Sequence, residues 1–188
     1  MTGLFRAFIA IEIDSLLRDG LTAAQHELKK SNARVAWVKP ENIHLTLKFL
    51  GEIPPKKLKE TQDIFPILTQ GIHPFAITLT DLGVFPSPQR PQVLWAGLSG
   101  VSELILLAQR IETELATLGF KKERREFTAH LTLGRVRSPH NCDTLVQNIQ
   151  DYRLPEGLDQ TVDHITLFQS TLTPQGSIYQ PLTTAFLK

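Results

Sequence analysis

Cysteine is nearly absent: Cys142 is the one thiol in 188 residues. No disulfide framework can form within the chain, no multi-thiolate zinc site is available, and a reducing cytosol is the fitting compartment. Long apolar runs are missing too. Nothing approaches the roughly 18 uninterrupted apolar residues that a membrane helix needs. The start, Met1-Thr2-Gly3-Leu4-Phe5-Arg6, has no basic region followed by an apolar core and a small-residue cleavage site. A secretory leader is therefore not expected, and a cytoplasmic protein is. Excess charge of either sign is absent as well, since 20 Lys and Arg oppose 19 Asp and Glu, a net charge of +1. That balance excludes a long duplex-wrapping surface and leaves room for a local site that grips one phosphate. His26, His73 and His140 show no ligand-like spacing to one another, and His44 and His130 lack a third ligand, so no metal is expected.

Hydrophobic residues make up 41% of the chain, enough for one full core. Alternation predicts strands at Phe5–Ile13, Arg34–Val38, Ile43–Leu50, Phe75–Leu82, Val93–Leu98, Thr128–Val136, Val162–Phe168 and Ile178–Phe186. Helical spacing predicts a helix from Asp14-Ser15, which offer N-cap oxygens, to about Lys30. Further helices are expected after Pro54-Pro55 toward Leu68, bent or ended by Pro66, at Ser102–Leu118 before Gly119, and at Cys142–Ile149. Residues 83–92, with three prolines, read as an irregular loop.

The pattern then restarts. A shift of 86 positions places Ala10 on Ala96, Leu21 on Leu107, and His44-Leu45-Thr46-Leu47 on His130-Leu131-Thr132-Leu133. Each half reads strand, helix, strand carrying HLTL, helix, strand. The expected class is α+β: residues 1–188 form a single bilobal domain with an internal duplication. Its pseudo-symmetric lobes are of mostly antiparallel sheet with helices outside, and the HLTL strands face a cleft between the lobes.

On a strand, alternate residues share a face. Ile43, Leu45, Leu47 and Phe49 are therefore expected on a core face, with His44 and Thr46 opposite, and Leu131 and Leu133 are set against His130 and Thr132 in the same way. Two imidazoles about a twofold axis suit in-line hydrolysis of a cyclic phosphodiester. One, neutral, takes a proton from water; the other, charged, gives a proton to the leaving oxygen. The threonine hydroxyls can donate to the non-bridging oxygens. Near-symmetry leaves the two histidines interchangeable on these grounds. A third match, His164-Ile165-Thr166-Leu167, falls outside the 86-residue repeat and is expected to be an ordinary strand histidine.

With these motifs in view, the sequence resembles the 2H phosphoesterase superfamily, in its branch of bacterial RNA 2′,3′-cyclic phosphodiesterases, also called the 2′-5′ RNA ligase family. The resemblance runs through RAFIAI (6–11), WVKPENIHLTLKFLGEI (37–53), QVLWAGL (92–98), FTAHLTLGR (127–135) and ITLFQSTLTPQGSIY (165–179). It implies that His44 is the proton donor to the leaving 3′-oxygen and His130 the proton acceptor that activates water, leaving a 2′-phosphate. It also implies phosphate binding by Thr46, Thr132 and Arg135, with Gly134 leaving space for close approach, and no catalytic part for the third histidine. No cofactor is expected. The partner would be RNA, single-stranded or tRNA-like, with a 2′,3′-cyclic phosphate end, and the protein a monomer.

Arg6 is a candidate second cation. Phe8, Trp37, Phe85, Trp95 and Tyr179 are candidates for stacking a base, with Phe49 the weakest of the set because alternation sends it to the core. Arg90 could sit over the cleft, and Lys121-Lys122-Glu123-Arg124-Arg125 could meet backbone phosphates. His26 on a helix is expected to be exposed. The alternatives are 2′-5′ ligation by the reverse reaction, and RNA-end binding without catalysis. A small cyclic-nucleotide substrate is a third, and a metallophosphoesterase would need an Asp and His cluster that the sequence lacks.

Overall fold

Alternation and helical spacing become elements close to their expected bounds in the computed structural model, which describes residues 3–174 and 176–188. Met1 and Thr2 of the leader reading, and Gln175 in the closing segment of the family resemblance, lie outside the described residues. Among the described residues there are nine strands and four helices: β1 (Phe5–Glu12), α1 (Ser15–Lys29), β2 (Val35–Trp37), β3 (His44–Ile53), α2 (Pro55–Leu68), β4 (Phe75–Ser87), β5 (Arg90–Ser99), α3 (Ser102–Thr117), β6 (His130–Val136), α4 (Cys142–Asp151), β7 (Asp159–Val162), β8 (His164–Thr173) and β9 (Gly176–Phe186). The caps behave as the residue types dictate. Asp14 accepts the Leu17 N–H at 2.9 Å to start α1. Gly119, at a φ of +84°, turns the chain after α3.

The strands form one antiparallel sheet in the order β7-β4-β5-β6-β3-β1-β8-β9, with β2 alongside β6. One face of the sheet packs against all four helices. Leu17 and Leu28 of α1, Phe65 of α2, Leu107 and Ile111 of α3 and Leu145 of α4 share a single core with Ile9, Leu45, Leu131 and Ile165 of the strands. The other face is open and carries the second residue of each alternating pair. At the centre, β3 and β6 are paired through Leu45 and Leu131, both fully buried.

Three expectations need correction. Residues 83–92 are not an irregular loop: β4 and β5 continue as a hairpin ribbon to a turn at Pro88-Gln89. β7 pairs β4 only over residues 75–78. The ribbon beyond is therefore an edge on that side, where Pro86 and Pro91 need not donate. The predicted strand 162–168 divides at Asp163 into β7 and β8. The third correction concerns the make-up of the lobes. The α+β fold with its two lobes of antiparallel sheet is as expected, but each lobe is not simply one half of the sequence. The 86-residue shift maps β4 onto 161–173, which contains β8, yet β4 pairs β5 and β8 pairs β1. Each half of the sheet is thus completed by a strand from the other half of the chain. Periodicity specifies the order of elements and leaves such an exchange invisible.

Leu131→Ala should lower the unfolding free energy by about 3 kcal/mol in a urea titration, because a fully buried leucine at the central strand pair leaves a cavity that the helices packed on that face cannot fill.

Candidate active site

His44 and Thr46 on β3, and His130 and Thr132 on β6, lie on the open face, with Leu45, Leu47, Leu131 and Leu133 beneath them in the core. The pairing of Leu45 with Leu131 sets His44 across from Thr132 and Thr46 across from His130. Past the motif the alternation breaks. The register of β1 against β3 skips Leu47, since Ile9 pairs Lys48 and Ala10 pairs Thr46. The register of β5 against β6 skips Leu133 in the same way, between Leu94–Gly134 and Trp95–Thr132. Such bulges insert one residue and shift the phase of the strand beyond them. Lys48 and Gly134 are consequently buried beside the leucines that precede them, and Phe49 and Arg135 emerge on the open face. Phe49, expected in the core, is 66% exposed.

The two imidazoles are oriented alike. His44 Nδ1 lies 2.7 Å from the Asn42 carbonyl oxygen, and His130 Nδ1 lies 2.7 Å from that of Thr128. A carbonyl oxygen has no proton, so Nδ1 must carry the hydrogen in each ring, and Nε2 is the nitrogen left to exchange protons. Each ring also rests on aromatic surface. His44 sits 4.8 Å from Phe8 and edge-on to Tyr179 at 5.2 Å. His130 is edge-on to Phe85 at 5.3 Å, and Phe85 stacks on Trp95. Burial in this setting pushes the pKa of His44 below its usual value, against the weaker opposing effect of the Asn42 carbonyl. Asn42 has a second task, since its side-chain amide donates to the Ser177 carbonyl and ties the β8–β9 hairpin to the turn before β3.

A polar side chain from a helix stands at each bulge, bonded to the backbone at Leu133 and to the Lys48 side chain beside Leu47. Gln25 of α1, 1% exposed, donates to the carbonyls of Val38 and the bulged Leu133 at 2.9 Å each. Lys48 is buried with its ammonium 2.6 and 2.7 Å from both carboxylate oxygens of Glu112 on α3, and it also donates to the Lys121 carbonyl. Sequence reasoning missed Gln25 and Glu112, because neither lies near a motif. A polar residue on the buried stripe of a predicted helix was the available signal for Gln25. Gly134 makes room for the chain itself: a Cβ there would come within 2.6 Å of Val35 in β2.

Known proteins resemble this chain in sequence and in fold. The sequence profile described as LigT like Phosphoesterase matches residues 11–95 and 99–179. The chain belongs to the LigT-like phosphoesterase family. Relatives named RNA 2′,3′-cyclic phosphodiesterase include one from Methanothermobacter thermautotrophicus, 37% identical over 93% of this chain and 94% of its own. Another, from Methanocaldococcus jannaschii, is 37% identical over 93% of this chain and 96% of its own. Among solved structures, TT0787 of Thermus thermophilus superposes with a TM-score of 0.80 at 27% identity, covering 97% of both chains. E. coli LigT in its apo form gives 0.79 at 26% identity, covering 99% of both.

The remaining candidates scatter over this LigT-like phosphoesterase. Arg6, Phe8, Phe49 and Tyr179 line one groove on the open face. Trp37, half-buried in β2, packs against the core with the Lys29 ammonium 5.5 Å from its ring. Arg90 opens β5 at the tip of the proline ribbon. The charged run 121–125 is exposed, yet its backbone is tied down: the Lys121 carbonyl accepts from Lys48, and the Glu123 N–H donates to Glu112 at 3.0 Å. In the third motif both ring nitrogens of His164 face carboxylates, Asp163 at 2.5 Å and Glu12 at 3.6 Å, while Thr166 is fully buried against Glu12. His26 is 77% exposed, as expected for its helix. Among the described residues no group of three or more His, Cys, Asp or Glu is placed to hold a metal ion, and no helix is long and apolar enough to cross a membrane.

This geometry makes two outcomes measurable. In NMR titrations of the free protein, His44 should change charge below pH 6.5. The unfolded chain then binds this proton before the folded one does, so stability falls as pH drops from about 6.5 toward the folded-state pKa. Above that window His44 contributes nothing, and His44→Gln should flatten the slope within it. Lys48→Met should cost about 3 kcal/mol in urea, because Glu112 loses its counter-charge, and adding Glu112→Leu should recover most of the loss.

Proposed function

We propose that this chain hydrolyses RNA 2′,3′-cyclic phosphate ends to 2′-phosphates. The observation that carries the reading is the matched pair of imidazoles on one face of adjacent antiparallel strands. Each is locked through Nδ1 to a carbonyl two residues upstream, which dedicates each Nε2 to proton exchange. The family and its relatives named RNA 2′,3′-cyclic phosphodiesterase support the same chemistry.

In this mechanism His130 Nε2 takes a proton from water as the water oxygen bonds to phosphorus. His44 Nε2–H gives its proton to the 3′-oxygen as the P–O3′ bond breaks on the opposite side. The two histidines end with their protons exchanged, and solvent restores them. Burial disfavours the His44 imidazolium in the empty site. The phosphodiester anion supplies the counter-charge that lets His44 hold its proton, so the donor is armed by its substrate. Thr46 and Thr132 donate to the non-bridging oxygens, and Arg135, brought to the same face by its bulge, binds the phosphate. The acid and base are both side chains of this chain, and no step calls for a metal.

The substrate is an unpaired RNA end, the active species a monomer of one bilobal domain built on the 86-residue repeat, and the compartment the cytosol. With EDTA present, an oligoribonucleotide ending in a 2′,3′-cyclic phosphate should be converted to a 2′-phosphate that resists a 3′-specific phosphatase. His44→Ala and His130→Ala should each lower the rate by at least about a hundredfold. Turnover that survives both substitutions, or that chelator abolishes, would sink this reading.

A further inference from the structure

Phe49 is a large apolar side chain on the open face that the acid-base chemistry leaves unused. Its place is specified by structure: the bulge at Leu47 turns it outward, as the bulge at Leu133 turns out Arg135, its equivalent 86 positions on. A single exposed apolar residue is ordinary on any protein. What sets Phe49 apart is its company. Phe8 lies between it and the site, with ring centroids 6.0 Å from Phe49 and 4.8 Å from His44. A groove of about 260 Å³ passes over both phenylalanines, walled by Tyr179 and by the polar side chains of Arg6 and Ser170. Glu52 stands across the strand register from Arg6, and among the described residues Arg6 makes no ion pair within 4.0 Å. Its guanidinium is therefore open to an anion.

We propose that this groove is the subsite for the nucleotide that precedes the cyclic-phosphate end. Its unpaired base stacks on Phe49, and the phosphate joining it to the terminal nucleotide meets Arg6. This extends the phosphodiesterase reading, on which it rests, from the reacting end to the chain behind it. An aromatic face accepts any base, so the subsite selects for length and leaves sequence open. It also suits a protein with a net charge of +1: one cation and one ring beside the reacting phosphate hold a short single strand without a broad basic surface.

The test compares kcat/KM for a 2′,3′-cyclic mononucleotide with that for a dinucleotide bearing the same cyclic terminal nucleotide. Wild type should favour the dinucleotide by about tenfold or more, the scale of one stacked base. Phe49→Ala should remove most of that ratio, and Phe49→Trp should keep it. Arg6→Met should reduce the salt dependence of the dinucleotide reaction by about 0.7 in log–log slope, one phosphate contact on a single strand. Calorimetric binding of the dinucleotide product, which needs no turnover, should weaken about tenfold in Phe49→Ala. A wild-type ratio near one, or a ratio and affinity unmoved by Phe49→Ala, overturns the subsite. Failure to hydrolyse either substrate overturns the phosphodiesterase reading instead, and the binding comparison still decides the subsite.

Discussion

The hydrogen bonds that close over the two β-bulges are the constraint on which the open face depends. A bulge leaves a residue out of the ladder, and its backbone groups then need other partners or cost the stability of a buried unpaired polar group. At Leu133 the partners are the Gln25 amide and the Val38 N–H, 2.9 Å from the carbonyl. At Leu47 and Lys48 the neighbouring charge is met by Glu112 and by the Lys121 carbonyl. Helices that look like passive cover for the core thus hold the phase of the two motif strands. Without that phase shift Phe49 and Arg135 would point into the core, and Lys48 and Gly134 would take their places on the open face.

The second theme is the aromatic bedding of the imidazoles. Phe8 and Tyr179 flank His44, with Phe168 stacked behind Phe8, while Phe85, stacked on Trp95, backs His130. Hydrocarbon surface keeps water from one side of each ring, and at His44 it raises the cost of charging the imidazole. At His44 that cost is large enough to lower the pKa. In the mechanism we propose, binding and arming are one event, because the phosphodiester to be cleaved stabilises the proton that cleaves it.

Much of this was legible in the chain. The alternation in IHLTLKFL and AHLTLGRV revealed the faces of His44, Thr46, His130 and Thr132, and Asp14 and Gly119 marked helix ends. These are local properties of a backbone with period 2 or 3.6. Phe49 is where local reasoning went wrong. Alternation extrapolated across a bulge inverts every later residue, and nothing within IHLTLKFL announces the extra residue.

The sequence by itself determined where most strands and helices lie, that the HLTL tetrapeptide occurs twice at an equal offset, and which side of each strand carries the imidazole. Tertiary structure alone decided the exchange of β4 and β8 between the two halves of the sheet, and the emergence of Phe49 and Arg135 beside the histidines. The physical reason is separation along the chain. The Gln25 amide meets Leu133 across 108 residues and Lys48 meets Glu112 across 64. Those partners exist only once helices and sheet have closed on a common core.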